Sequence, residues 1–156
     1  MPASTDLNRR TFIAGAATAV TAKQVLTAKS AARIVGANER LHVGMIGAGG
    51  NANGHMRALQ KLAEPDNVEI AAVCDIYDPR REAAADFTGG KPYRDYRRLL
   101  EHSGLDYVTI SVPEHWHAPI TLDAADAGLH VYVEKPLTYS IDEGLAVVRK
   151  VRSTGI

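Results

Sequence analysis

The sequence predicts an α/β fold in which helices cover both faces of a parallel sheet, the doubly wound arrangement. From Leu41 onward, short and almost continuously apolar segments alternate with segments of helical periodicity. Strands that are covered on both faces have this apolar character. A glycine-rich stretch, 42–55, also follows the first apolar segment, where a strand gives way to a helix. These observations together favour βαβ units joined by right-handed crossovers.

The predicted elements follow one another in a regular order. Strands are expected at 41–47 (LHVGMIG), 67–75, 106–113 and 130–136, with a short, weak strand near 91–93; helices are expected at about 52–63, 79–86, 95–102, 117–127 and 141–153. Several boundaries carry physical signals. Asp78 is predicted to be an N-cap, with Pro79 in the first helical turn; Gly128 predicts a helix end, and Ser140 with Glu143 a capping box.

Composition limits the class of protein. The chain has 156 residues, enough for one domain with a core, and its 18 basic residues balance 18 acidic ones. This balance gives no net field toward nucleic acid or an anionic membrane. No apolar run reaches the length that spans a bilayer. The one cysteine, Cys74, excludes an internal disulfide framework and a cysteine zinc cluster.

The first 38 residues have a different organisation. Arg9 and Arg10 precede Thr11-Phe12-Ile13 and a weakly apolar stretch, which ends in small residues near Ala32. This order is typical of an export signal, and the paired arginines resemble the twin-arginine type, although Asn8 stands where that pattern prefers Ser or Thr. We therefore expect residues 1–38 to be a signal and linker, and the protein to be periplasmic or in the cell envelope. An amphipathic N-terminal helix or an organelle transit peptide is the alternative.

The glycine-rich stretch predicts a phosphate-binding turn. A dinucleotide's pyrophosphate binds where backbone N–H groups converge at a helix N-terminus, and only small residues allow that approach. Gly47 is expected to make the tight turn, Gly49 to admit the phosphates, and Ala52 to occupy the third, close-packing position; Gly50 and Asn51 complete the predicted site. The alternative is a glycine-rich turn that binds no ligand.

An acidic residue follows the second strand. Asp75 lies 23 residues after Ala52, where a carboxylate accepts hydrogen bonds from the adenosine ribose. This residue favours NAD as cofactor. Arg80 and Arg81 are near enough in sequence to meet a 2′-phosphate, so NADP stays open.

Two further motifs lie at predicted strand ends, namely "SVPEHWH" (111–117) and "VEKP" (133–136). Together with "GAGGNANGH" they resemble the Gfo/Idh/MocA family of oxidoreductases from about Leu41 to the last residue. The resemblance implies that residues 39–156 are a Rossmann domain that binds the dinucleotide through Gly47, Gly49, Ala52 and Asp75. It also implies that the stretch from Ser111, with Pro113, Trp116 and His117, lines the nicotinamide side. Many members have glycine in place of Ala52, and Asn or Asp in place of Glu114.

The resemblance implies that Lys135 is the catalytic residue. Hydride removal from a carbinol carbon requires the hydroxyl proton to leave, and a cation beside the developing alkoxide favours that state. Glu134 is expected to orient this ammonium or to tune its pKa. Without the motif, Lys135 reads as a solvated lysine at a strand end. His115 and His117 lack a third ligand at suitable spacing, so no metal site is predicted.

The expected function is hydride transfer between NAD(P) and a sugar or polyol-like substrate. The alternatives are an NAD-dependent glycosidase with transient oxidation and a non-catalytic nucleotide-binding module. The fold is expected to lack a sixth strand after Gly155, leaving the strand at 130–136 as a sheet edge, and to lack the C-terminal α/β domain that supplies the carbohydrate pocket in this family. A homo-oligomer is expected for the full-length protein, with no nucleic acid partner and no membrane span.

Overall fold

The computed structural model describes residues 40–156, and the account below is confined to them. The predicted export signal lies outside the described residues. Five strands are present: β1 (Leu41–Ile46), β2 (Val68–Cys74), β3 (Lys91–Tyr93), β4 (Tyr107–Ile110) and β5 (His130–Val133). Five α-helices are present: α1 (Gly50–Leu62), α2 (Asp78–Thr88), α3 (Tyr96–Leu100), α4 (His117–Asp126) and α5 (Ile141–Thr154), with a 3-10 turn at Glu114–Trp116 before α4.

The strands form one parallel sheet in the order β3-β2-β1-β4-β5. The central strand, β1, pairs with β2 on one side and with β4 on the other. The direction of the connections therefore reverses between β1 and β4, and open α/β sheets bind ligands at such a reversal. The predicted α/β, Rossmann-like fold is confirmed.

The sheet register brings the carboxyl ends of all five strands to one edge. Ile46 pairs with Cys74 and with Ile110, Cys74 pairs with Tyr93, and Ile110 pairs with Val133. Each of these residues is the last of its strand. The loops that follow them therefore start side by side, and every predicted site residue lies in one of these loops or in the first turn of a helix that continues it.

Two apolar clusters cover the two faces of the sheet. Met45 and Met56 lie in the cluster beneath α1 and α2, whereas Ile110, Leu99 and Ile120 lie in the cluster beneath α3 and α4. A Cβ atom at Gly44 would lie 2.8 Å from Leu99 Cδ2, so the glycine allows α3 to approach β1 closely. β1, β2 and β4 are thus buried on both faces, as their continuous apolar character predicts, whereas no residue of the edge strands β3 and β5 is fully buried.

Several predicted boundaries shift by a few residues. β4 ends at Ile110 and β5 at Val133, so Ser111–Pro113 and Glu134–Pro136 are loop residues rather than strand residues. α1 begins at Gly50, which places the predicted phosphate-binding residues in its first turn.

The prediction that Asp78 caps α2 is wrong. Tyr77 is the N-cap and Asp78 is the first helical residue, with Pro79 next. The Asp78 carboxylate accepts a hydrogen bond from Arg81 at 2.7 Å, which lowers the pKa of Asp78. The Asp75 carboxylate accepts the Tyr77 N–H at 2.8 Å and so fixes the chain before the helix.

Other predicted boundaries are confirmed. Ser140 and Glu143 form a reciprocal capping box at the start of α5, and Gly155, with φ of 78°, ends that helix. Gly128, with φ of 75°, follows α4. Within residues 40–156, β5 pairs with β4 alone and forms one edge of the sheet, as expected. None of the helices in this part of the chain has the length and apolar character needed to cross a membrane.

Candidate functional site

An open cleft of about 1240 Å³ lies along the carboxyl edge of the sheet. All of the predicted site residues except Ala52 line it: Gly47, Gly49, Gly50, Asn51, Asp75, Ser111, Pro113, Trp116, His117, Glu134 and Lys135. Ala52 is fully buried in α1, which agrees with a packing role. The fold therefore brings the glycine turn, the acid after β2 and both later motifs to one cavity.

The glycine turn begins with a close backbone contact. Gly47 has φ of 93°, and a Cβ atom there would lie 2.1 Å from the carbonyl oxygen of Ser111. The Gly47 N–H donates to the carbonyl of Cys74 at 2.8 Å. Only glycine combines this conformation with this contact, so Gly47 is required by the protein itself, whether or not a ligand binds.

The next residues leave the start of α1 accessible. Gly49 is the N-cap and offers no side-chain cap to the first N–H groups of the helix. A Cβ atom at Gly49 would meet the Arg80 guanidinium at 3.0 Å, and one at Gly50 would meet nothing within 4 Å. A helix N-terminus whose donors have no side-chain cap, with a cationic guanidinium as the nearest side chain, suits an anion. These residues fit the pyrophosphate of a dinucleotide.

Asp75 supports the turn as well as lining the cleft. One carboxylate oxygen accepts the N–H of Ala48 at 2.9 Å, and the other accepts the N–H of Tyr77. Each oxygen keeps a lone pair for a further donor, such as a ribose hydroxyl. Burial, followed by the nearby charge of Asp75, raises the pKa of the neighbouring Cys74 to about 12, so this thiol is not a nucleophile.

The loop after β4 sends its side chains in two directions. Trp116 lies edge-on to Tyr96 of α3, with ring centroids 6.3 Å apart. His117 is buried, and its ring nitrogens face the carbonyl oxygens of Val112 at 2.9 Å and Pro136 at 2.6 Å. The buried hydroxyl of Ser111 has no hydrogen-bond partner within the described residues. Buried hydroxyls are usually paired, so this one is a candidate for a ligand contact.

The loop after β5 carries Lys135. Glu134 pairs through one carboxylate oxygen with His55 of α1 and accepts the backbone N–H of Lys135 with the other, at 3.2 Å. The hydrogen bond from His55 is the main reason that the pKa of Glu134 lies below its ordinary value. The hydrogen bond between these two residues involves the Lys135 backbone, so a role of Glu134 in orienting the lysine ammonium or tuning its pKa stays a prediction. The Lys135–Pro136 peptide bond is cis.

A family model for oxidoreductases with an NAD-binding Rossmann fold matches residues 41–156. The chain belongs to the Gfo/Idh/MocA oxidoreductase family. This membership confirms the resemblance carried by the glycine turn, the 111–117 stretch and the Glu-Lys-Pro motif.

Curated relatives of this Gfo/Idh/MocA chain include proteins named as glycosidases. A glycosyl hydrolase family 109 protein of Shewanella pealeana is 33% identical over 129 residues, covering 74% of this chain and 27% of the relative. An alpha-N-acetylgalactosaminidase of Shewanella oneidensis is 30% identical over 128 residues, with the same coverage of 74% and 27%. The chain thus spans about a quarter of the length of these relatives.

Similar solved structures include dehydrogenases and ketoreductases. The WlbA dehydrogenase of Chromobacterium violaceum, solved with NADH and UDP-GlcNAcA, superposes with a TM-score of 0.71 and 29% identity, covering 74% of this chain and 33% of that protein. A 3-ketoreductase of Actinomadura kijaniata, solved with NADP, gives a TM-score of 0.68 and 31% identity, covering 75% of this chain and 37% of that protein.

Sequence reasoning missed three features of the Gfo/Idh/MocA site. His55 of α1 pairs with Glu134, which is 79 residues away in the sequence. Tyr96, whose hydroxyl donates to Asp123, supports Trp116 at the cleft wall. The Arg81 guanidinium donates hydrogen bonds to the Asp75 carbonyl and to the Asp78 carboxylate. Arg80, rather than Arg81, lines the cleft. No local pattern signals the first two pairings, because they join separate segments, whereas the i,i+3 spacing of Asp78 and Arg81 could have indicated the third.

Two histidines in the cleft do not form a metal site. Both ring nitrogens of His117 are directed at carbonyl oxygens, so they are not available beside His115. Among residues 40–156, no group of three or more histidine, cysteine, aspartate or glutamate side chains is arranged to hold a metal ion.

Proposed function

We propose that the chain is the dinucleotide-binding domain of an NAD(P)-dependent oxidoreductase that transfers hydride to or from a sugar or polyol-like substrate. The observation that carries this proposal is that one cleft joins the uncapped N-terminus of α1 to Lys135. Family membership and the dehydrogenase and ketoreductase neighbours support it. Catalysis by the whole protein requires the substrate pocket that a longer chain supplies in this family.

The residues of the cleft supply binding, orientation and proton transfer. A bound nicotinamide supplies the carbon that accepts or returns a hydride. Gly49 and Gly50 leave space for the pyrophosphate at the first N–H groups of α1, and Asp75 accepts from the adenosine ribose. Lys135 is exposed to the cleft, where its neutral amine can take up the hydroxyl proton during oxidation, and its ammonium can stabilise the alkoxide and return the proton during reduction.

The choice between NAD and NADP depends on two opposed side chains. Asp75 repels a 2′-phosphate and accepts from a 2′-hydroxyl, which favours NAD. Arg80 stacks 5.7 Å from the centroid of the Tyr77 ring and lines the same cleft, where it can pair with a 2′-phosphate. We propose NAD as the preferred cofactor and Arg80 as the residue that lets NADP bind as well.

Calorimetric titration of Gly49→Val with NAD tests the phosphate site. Gly49 has φ of −95°, which valine adopts, and its Cβ would meet only the flexible end of Arg80. The variant should fold and lose NAD binding, because the side chain occupies the space for the pyrophosphate. Gly54→Val is the matched control, since Gly54 lies in the same helix with nothing within 4 Å of a Cβ. Unchanged affinity in folded Gly49→Val refutes the assignment.

A glycosidase is the second candidate, favoured by the names of the curated relatives. In that case oxidation of the sugar is transient, and reduction after elimination restores the cofactor. The two candidate functions predict different amounts of reduced nicotinamide when the protein is incubated with a nitrophenyl α-N-acetylgalactosaminide and NAD. Nitrophenol released without net reduced nicotinamide indicates a glycosidase, whereas reduced nicotinamide formed in step with an oxidised sugar indicates a dehydrogenase. Nucleotide binding without either product indicates a non-catalytic module.

We also propose export by the twin-arginine route and a homo-oligomeric full-length protein. The paired Arg9 and Arg10 support the first proposal, and the second rests on membership of the Gfo/Idh/MocA family. Replacing both arginines by lysine should keep the protein in the cytoplasm of a host with a twin-arginine system. The substituted protein in the periplasmic fraction would refute this route. Light scattering of the full-length protein tests the oligomer.

A further inference from the structure

His55 connects the phosphate-binding helix to the end of β5. It lies in α1, five residues after Gly50, and its Nε2 atom pairs with a carboxylate oxygen of Glu134. Its ring also lies edge-on to Tyr132, with centroids 5.4 Å apart. Tyr132 and Glu134 are two residues apart, so they share the side of the chain that faces α1. The alternate residues Val131 and Val133 pack into the cluster beneath α4.

Two histidines hold the backbone on either side of Lys135, His117 directly and His55 through Glu134. On the N-terminal side, Glu134 accepts the Lys135 N–H with the carboxylate oxygen that His55 leaves free. On the C-terminal side, the Pro136 carbonyl faces His117 Nδ1 at 2.6 Å. The Lys135 side chain itself is exposed along the cleft. The position of the Lys135 side chain therefore depends on these two backbone contacts. Of the two, the contact through Glu134 and His55 connects Lys135 to α1, the helix that would bind the pyrophosphate.

We propose that His55 is a positioning residue for Lys135, acting through Glu134, and that it couples phosphate binding at the start of α1 to the placement of the lysine. This inference rests on the proposed function in that it takes the N-terminus of α1 as the pyrophosphate site. A change in the first turn of a helix is transmitted along its rigid hydrogen-bonded backbone to the following turn, where His55 lies. Misplacement of a reacting group by about 1 Å is enough to lower a rate about a hundredfold, so such coupling is consequential.

The coupling can be measured with ADP, which carries the pyrophosphate without the nicotinamide. In isotope-labelled protein, ADP binding should shift the backbone amide resonance of Lys135 and the imidazole resonances of His55 with one common dissociation constant. In His55→Ala, ADP affinity should change less than about threefold, because His55 is not placed on the pyrophosphate. The Lys135 shift at saturation should fall by at least half. If the phosphates shifted the Lys135 amide resonance directly through their electric field, the shift would be the same in His55→Ala.

Two further variants complete the test. His55→Gln keeps an N–H donor for Glu134 and should restore part of the Lys135 response. His130→Ala changes an exposed histidine at the opposite end of β5 and should leave the response unchanged. An undiminished Lys135 shift in His55→Ala overturns the inference, as do different dissociation constants for the two resonances in the unsubstituted chain. Failure of both ADP and NAD to bind the folded chain overturns the proposed function and the inference with it.

Discussion

The turn after β1 and the loop after β5 meet in one cleft but are held by different means. The turn is fixed almost entirely by backbone, through the positive φ of Gly47 and hydrogen bonds to Cys74 and the Asp75 carboxylate. The loop after β5 is held by side chains from two helices, His55 of α1 and His117 of α4. The glycines that form the turn therefore lie within four residues of one another, although their partners come from the carboxyl ends of β2 and β4, whereas Lys135 is positioned by side chains from two separate helices.

This difference implies different responses to substitution. An added Cβ atom that clashes with a carbonyl oxygen in the turn destabilises the whole turn. No rotamer change relieves this clash, because the main chain fixes the positions of both atoms. A loop held by side chains loses one contact at a time and keeps the others. A substitution at Gly47, where the clash is with main chain, should therefore have a large effect on stability, and substitutions at the loop anchors should have small ones.

Gly47→Ala should have the largest effect. The added Cβ would lie 2.1 Å from the Ser111 carbonyl oxygen, at a φ that disfavours any side chain. We expect a loss of about 3 kcal/mol or more in the free energy of unfolding, since such strain adds to the steric clash. Urea denaturation followed by circular dichroism measures it. Gly128→Ala is the control: it has φ of 75° but open space around the Cβ. It should cost only about 1 kcal/mol. Equal losses in the two variants would contradict the importance of the Ser111 contact.

Asp75→Ala should have an intermediate effect and should act on binding. Loss of hydrogen bonds to a charged group costs about 1.5–3 kcal/mol, so NAD affinity should fall by at least about tenfold. NADP affinity should fall less, because the repulsion of the 2′-phosphate is removed at the same time. Titration calorimetry with both nucleotides checks the difference. Asp75→Asn, which keeps one acceptor oxygen for a backbone N–H, separates support of the turn from recognition of the ribose. An equal loss for NAD and NADP would place the discriminating acid elsewhere.

The fold and the geometry of the glycine turn were predictable because their signals are visible as residue patterns along the chain. Apolar strands and the capping box at Ser140 depend on neighbouring residues, and the spacing from Gly47 to Asp75 is that of one βαβ unit. The exact strand ends were not predictable, because apolar residues such as Val112 continue past the last paired residue, Ile110. Asp78 followed by proline resembles a cap, but its carboxylate accepts a hydrogen bond from the Arg81 side chain rather than from a backbone N–H, and the helix begins one residue earlier than predicted.

The anchors of Lys135 could not be predicted for a different reason. His55 and Glu134 are separated by 79 residues, and their contact depends on β4 and β5 adding to the sheet beside β1. A histidine on a helix and a glutamate after a strand are common in isolation. Only the strand order β3-β2-β1-β4-β5 brings the start of α1 toward the end of β5.

The smallest effect is expected from the contact between His55 and Glu134, measured as stability against pH. The pKa of Glu134 is lowered in the folded protein, chiefly by the hydrogen bond from His55. A lowered folded-state pKa means that the contribution to stability is present above the unfolded value, about 4.3, and is lost as pH falls through the folded pKa. The difference in unfolding free energy between the unsubstituted chain and Glu134→Gln should therefore be constant near neutral pH and shrink below about pH 4.

The side chains of His55 and Glu134 are 29% and 16% exposed, so solvent screens the pair and the difference in unfolding free energy should be small. Urea denaturation at a series of pH values measures it, with Glu101→Gln, an exposed carboxylate paired with Arg98, as the control. A difference that grows as pH falls would show that His55 does not stabilise the Glu134 carboxylate, and the loop would then depend on His117 alone for its link to the helices.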